Sequence, residues 1–232
     1  VTQQSESLVT LLTEKGYTVF MPFYRMAGTS ADVSEACKKT DYTRISSEGW
    51  TNDSGNTSFS SAESALDFIK RNRSKYGIDN SKIHVIGSSA GAGIAVGLAV
   101  RNPADIDKAI LLYPPTDMKD FLDGFNSGAY DNCQYMMPAL EDYLGSEIDG
   151  LSGTEKEVTD NSYAQKVNNN PSAVPPMFIL HNTYDGVVPV QQSQALCKAL
   201  NGNISGTINP DQQYSYRSIY HCGSCSKGSL YH

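Results

Sequence analysis

The sequence predicts an α/β fold, a mostly parallel sheet with helices on both faces, from three observations. Short apolar runs of strand character alternate with segments of helical periodicity. One such run passes straight into an apolar helix through a tight Gly87-Ser88-Ser89-Ala90-Gly91 turn. The chain has 232 residues, with neither an internal repeat nor a polar linker, which suits one domain over residues 1–232 that buries roughly 70–75% of the extended chain's surface.

The elements follow in order. Leu8, Leu11 and Leu12 stand at helical spacing before Gly16, a helix stop, so the chain begins inside a helix. Residues 17–23, YTVFMPF, read as a buried strand. A polar stretch over 26–59, holding the single tryptophan, Trp50, reads as a surface excursion. Ser60-Ser-Ala-Glu63 is a capping box, and Ala62, Ala65, Leu66 and Ile69 form one apolar stripe up to Gly77, predicting a helix. Residues 83–86 are a strand, and residues 90–101 a helix apolar nearly all round, hence buried, with Pro103 beyond it. Residues 109–113 form the next strand, closed by Pro114-Pro115. The pattern loosens over 116–174, a cap-like insertion over one end of the sheet with a short helix at 138–144. Order returns with a strand at 177–181, a helix at 189–200 that starts on proline, and a last strand at 213–220.

Composition excludes several classes. Gly 19 and Pro 10 are near average, and hydrophobic residues at 39% leave no apolar run of eighteen, so collagen-like, low-complexity and membrane-spanning readings fall away. The net charge is −7 and the cations form no cluster, which argues against a nucleic-acid partner. Five cysteines, Cys37, Cys133, Cys197, Cys222 and Cys225, are too few to build a fold, and an odd count leaves one thiol unpaired within the chain. Cys222-Gly-Ser-Cys225 lacks a second Cys or His pair, so no metal or other cofactor is expected; a local disulfide or two idle thiols explains it.

The turn after residues 83–86 has the form strand, G-x-S-x-G, helix, in which small residues are expected at both ends because the turn is sharp. This places Ser89 at the tip as a nucleophile, with Ser88 a bystander; the alternative is a Gly/Ser turn holding a phosphate. A serine hydroxyl needs a base, and the base an acid that fixes its tautomer. Of four histidines, His84 lies inside a strand, His181 precedes the candidate acid and His232 is the terminal residue. His221, directly after the last strand, is preferred, because a loop at the carboxyl end of a parallel sheet would carry it toward Ser89. The acid candidate is Asp185, just past a strand end, with an Asp-Gly turn as its alternative; Asp117 and Asp211 stay open.

At these residues the chain resembles the α/β-hydrolase superfamily, most closely bacterial carboxylesterases of the acetyl esterase and feruloyl/acetyl-xylan esterase type. Phe23-Tyr24-Arg25 resembles their strand-end YR signature, residues 76–91 their "YGID…I.V.GSSAG" block, and residues 175–190 their "PP…HGTxDxxVP" block, with Asn182 where glycine is usual. The resemblance implies Ser89 as nucleophile, Asp185 as acid and His221 as base, and places the insertion between strands 6 and 7 of the fold. Gln192 and Ser193 match the helix start after Pro189 and need no catalytic role.

One departure carries an expectation. These enzymes have a strand ending in an HGGG-type oxyanion loop before the helix with which this chain opens, and the sequence holds no such motif. That strand would lie between the strands at 17–23 and 83–86. Each buried, unsatisfied backbone group costs roughly 1–3 kcal/mol, so about four or five of them would consume a stability of about 5–15 kcal/mol. Losing one oxyanion donor costs only about 3–4 kcal/mol of barrier. The chain is therefore expected to be a fragment of a longer esterase, truncated before Val1 and after His232.

The expected reaction is ester hydrolysis through an acyl-enzyme, with the Ala90 amide as one oxyanion donor and a small-molecule or carbohydrate ester as substrate. Apolar residues of 116–174, among them Phe121, Leu122, Phe125, Tyr130 and Met136, either line the substrate pocket or form a satellite core. Rival readings are a non-catalytic hydrolase-like binding domain, a serine peptidase on the same fold, and a thiol redox protein built on Cys222 and Cys225. The Asn/Ser/Thr/Tyr-rich composition favours export, and Asn56, Asn72 and Asn203 would be glycan acceptors only in a eukaryotic secretory pathway.

Overall fold

The computed structural model describes residues 3–22, 55–79, 82–127, 129, 155–183, 185–200 and 219–223. The Phe23-Tyr24-Arg25 signature, Trp50, the helix expected at 138–144, Asp211, most of the strand expected at 213–220, and His232 lie outside the described residues.

Helix α1, Gln3–Glu14, ends on Gly16, whose φ of 86° belongs to the left-handed region that glycine enters at no steric cost. The amides of Gly16 and Tyr17 close onto Thr13 and Leu12 carbonyls. Residues 17–22 differ from expectation: they hold no regular structure and join no sheet, and Tyr17 and Met21 stand half exposed. Strand composition supplies propensity, but a strand exists only where a partner accepts its ladder.

Helix α2 runs over Gly55–Arg71, starting a turn before the capping box, so Ser60 lies within it. Phe59 extends the buried stripe of Ala62 and Leu66 toward the N-terminus and packs under the Arg101 guanidinium, 4.0 Å from its ring. That burial outweighs the local cap signal and removes Phe59 from the expected excursion. A short helix α3, Arg73–Tyr76, follows, and Gly77 at φ 65° ends it as expected.

The core follows from three short strands and one helix. Strand β1, His84–Ser88, pairs in parallel with β2, Lys108–Leu112, and β2 in parallel with β3, Met177–Asn182. Between β1 and β2, α4 spans Ala90–Arg101 and is buried continuously from Ala92 to Ala99, as its all-round apolarity requires. Gly97 is where α4 meets its neighbours, since a Cβ there would stand 2.6 Å from the Phe59 ring and 2.7 Å from Tyr163 Oη.

Strand β4, Ile219–Gly223, departs from the expected parallel arrangement: it runs antiparallel to β3, with Asn182 opposite Ile219 and Phe178 opposite Gly223. Strand composition does not encode direction, and an antiparallel edge strand on a parallel sheet is a common solution. The sheet order among the described residues is β1-β2-β3-β4.

In the segment 116–174 the described elements are α5, Met118–Asn126, α6, Glu155–Asp160, α7, Tyr163–Asn169, and a 3₁₀ turn at Pro171–Ala173. Phe121 and Leu122 are fully buried, so these two belong to packing rather than to an open pocket. Helix α8, Val190–Ala199, begins after Pro189 and packs on β3 and α7. Its Cys197 is buried and disulfide-bonded.

Candidate active site

The parallel register brings three strand ends to one level: Ser88 lies opposite Leu112, and Leu112 opposite Leu180. The residues just past that level, Ser89, Tyr113 and the loop 183–189, therefore share the carboxyl edge of the sheet, where open α/β sheets place their sites.

Ser89 joins β1 to α4 with φ 52° and ψ −125°. That backbone is costly for any residue with a Cβ, and such strain persists only where surroundings impose it. Here its amide is held by the Leu112 carbonyl at 3.0 Å and its carbonyl receives the Ala92 and Gly93 amides at 2.9 and 3.1 Å. Gly87 is demanded sterically, because a Cβ would stand 2.3 Å from the Gly91 carbonyl oxygen. Gly91 is not: a Cβ there meets nothing within 4 Å, which corrects the expectation that both ends of the turn must be small. Ser89 is half-buried and Ser88 exposed.

Asp185 sits three residues past β3. Its Oδ1 accepts the Val187 and Val188 amides at 2.8 and 2.9 Å, so the Asp-Gly turn and a fixed carboxylate are one arrangement. Its Oδ2 is 3.7 Å from His181 Nε2. Asp117, the other described candidate, spends its carboxylate otherwise: Oδ1 accepts the Asp120 amide at the start of α5, and both oxygens receive Gln165 Nε2. It is a helix cap.

The histidines separate by place. His84 opens β1, four residues before Ser88 and about 13 Å along the strand from it. His181 is 1% exposed with both nitrogens engaged, Nδ1 by the Ser193 hydroxyl at 2.6 Å and Nε2 by the Val188 carbonyl at 2.9 Å, so it has no free nitrogen for a serine proton. Burial pushes its pKa below the ordinary value, and the Val188 carbonyl and the Asp185 charge oppose that without reversing it. His221 lies within β4 opposite Leu180, not in a loop beyond a parallel strand as the sequence suggested. It occupies the same row as Ser88, three strand spacings or about 14 Å across the sheet. The backbone thus brings Ser89 and Asp185 to one edge, and His221 to the level of that edge on the far strand.

Gln192 and Ser193, matched in the sequence to the helix start after Pro189 without a catalytic role, lie in the first turn of α8. Both are fully buried. Gln192 Oε1 accepts the Thr116 and Asp117 amides at 2.9 and 2.8 Å, its Nε2 donates to Asp120 Oδ2, and its carbonyl receives the Thr116 hydroxyl. The first turn of α8 thereby ties the loop after β2 to the loop after β3. The sequence offered no signal for this, because Gln191 and Gln194 in the same turn are equally polar yet exposed.

A family model described as BD-FAE matches residues 57–200, most of the chain. The chain belongs to the BD-FAE family. The fold is accordingly that of an α/β-hydrolase, with the elbow at Ser89 on its parallel sheet. Endo-1,4-β-xylanase B of Butyrivibrio fibrisolvens is 33% identical over 149 residues, covering 59% of this chain and 20% of that protein. Esterase LipQ of Mycobacterium tuberculosis is 29% identical over 155 residues, 62% of this chain and 34% of that protein. The crystal structure of an acetyl ester-xyloside bifunctional hydrolase from Caldicellulosiruptor lactoaceticus matches with a TM-score of 0.49 and 23% identity over 64% of this chain and 52% of that one. The BD-FAE chain thus spans between a fifth and about a third of the curated relatives it matches.

Proposed function

We propose that the protein is a serine carboxylic ester hydrolase in which Ser89 is the nucleophile, His221 the base and Asp185 the acid. The observation that carries this reading is the strained, non-glycine backbone of Ser89 at a strand-to-helix turn, with Asp185 at the same sheet edge. In this reading the His221 imidazole, whose backbone stands about 14 Å across the sheet from Ser88, has to reach the Ser89 hydroxyl and take its proton as the serine oxygen attacks the ester carbonyl, and the Ala90 amide at the start of α4 is the oxyanion donor. The tetrahedral species expels the alcohol, which takes the proton from His221. Water then attacks the acyl-enzyme, giving its proton to His221, and the carboxylic acid leaves as Ser89 recovers its hydrogen. Short-chain or carbohydrate-linked esters are the substrate class, a choice supported by relatives whose names are an esterase and a xylanase.

The test is hydrolysis of p-nitrophenyl acetate by the protein and by Ser89→Ala. Turnover should fall by at least about a thousandfold in the variant; equal turnover by both ends the esterase reading. Faster cleavage of aminoacyl anilides than of short esters would turn it into a peptidase.

A further inference from the structure

We propose that His181 is a positioning residue, whose imidazole, locked between Ser193 and Val188, fixes where the Asp185 carboxylate stands. The inference rests on the reading of Asp185 as the triad acid.

A carbonyl only accepts, so the 2.9 Å contact to Val188 requires the proton on His181 Nε2. Nδ1 is then the acceptor for the Ser193 hydroxyl. Each ring nitrogen has one compatible partner, so the imidazole has a single tautomer and a single orientation. The bonds continue in one line: Ser193 Oγ–H to His181, His181 Nε2–H to the Val188 carbonyl, and the Val188 amide to Asp185 Oδ1. Ser193 stands in the first turn of α8 and Val188 closes the loop that carries Asp185. The ring therefore pins that loop to the helix behind it. The Tyr113 ring, itself at φ 44°, lies edge-on to His181 at 6.4 Å and bounds it on the β2 side.

Two features separate this from ordinary packing. A leucine would fill the same buried volume without the desolvation cost of an imidazole, so the polar group has to be repaid by its bonds. And Oδ1 of Asp185 is consumed by two amides, while Oδ2 accepts no hydrogen bond among the described residues. The line that begins at Ser193 thus decides which carboxylate oxygen is left for a base.

The test is a double-mutant cycle on kcat for p-nitrophenyl acetate. Ser193→Ala should lower kcat about ten- to a hundredfold, the scale of a misplaced catalytic group, with KM changed by less than about twofold. Ser193→Thr, which keeps the hydroxyl, should restore most of it. In an Asp185→Asn background Ser193→Ala should have no further effect, because the residue it acts through is already disabled. Unchanged kcat in Ser193→Ala, or an equal fall with and without the Asp185 carboxylate, overturns the proposal. Should Ser193→Ala not fold, His181→Gln is put through the same cycle under the same criteria. Activity surviving in Ser89→Ala would instead defeat the triad itself, a separate outcome.

Discussion

Two histidines, each in a strand of the same sheet, are treated in opposite ways. On the β3 side His181 is sealed from water with both nitrogens hydrogen-bonded, and Gln192 and Ser193 beside it are hydrogen-bonded as well. On the β1 side His84 is half-buried, and its Nδ1, 3.4 Å from Asp107 Oδ2, makes no aligned hydrogen bond. It faces a cavity of about 1070 Å³ lined by Leu12, Phe20, Leu66, Val85 and Phe178 among others. Both imidazoles are driven toward the neutral form by desolvation. The difference teaches that burial alone does not make a polar residue structural; a buried partner of the right hydrogen-bonding sense does.

The comparison is broken most forcefully at Gln192. Gln192→Ala strips the acceptor from two buried amides and the donor from Asp120, so it should lower stability by about 3 kcal/mol or more, read from the urea midpoint. Next comes the turn that ends β1: Gly87→Ala, forced against the Gly91 carbonyl, should cost about 1–3 kcal/mol, while Gly91→Ala should stay within about 0.5 kcal/mol. If both alanines melt alike, the asymmetric turn described above is wrong.

Acid sharpens the contrast. A histidine whose pKa is lowered on folding binds its proton more readily when unfolded, so stability is retained above about pH 6.5 and is lost as pH falls from there through the folded value. Comparing urea midpoints at about pH 7.5 and 5.5, His181→Gln should flatten this loss more than His84→Gln, since His181 is sealed from water whereas His84 is half-buried. The smallest effect is expected from His84→Phe, which removes an unsatisfied nitrogen and should leave stability within about 0.5 kcal/mol of the parent, or raise it. A fall comparable to that of Gln192→Ala would mean that His84 is anchored after all.

Much of the fold is legible in the residues. Helix α4 is legible because its apolarity runs all round, and β1 because an apolar run ends in the glycine-flanked turn at Ser89. The stop at Gly77 is legible because only a residue without Cβ enters φ 65° cheaply. The failures share a different cause. Residues 17–22 have strand composition without a strand, α2 begins before its capping box because Phe59 finds Gly97 and Arg101, and His221 lies inside a strand because β4 runs against β3. Each depends on a partner distant along the chain.

Of the site, the sequence by itself determined the nucleophile candidate and the acid candidate, because a sharp strand-to-helix turn and an Asp-Gly turn are local chemistry written in adjacent residues. Only the tertiary structure decided that Asp117 is a cap, that Gly91 has room for a side chain, and that His181, Gln192 and Ser193 are bound into one buried set. The physical reason is that a hydrogen bond between residues 75 positions apart, such as Gln192 to Asp117, follows from neither side chain's type but from the strand register that brings their loops together.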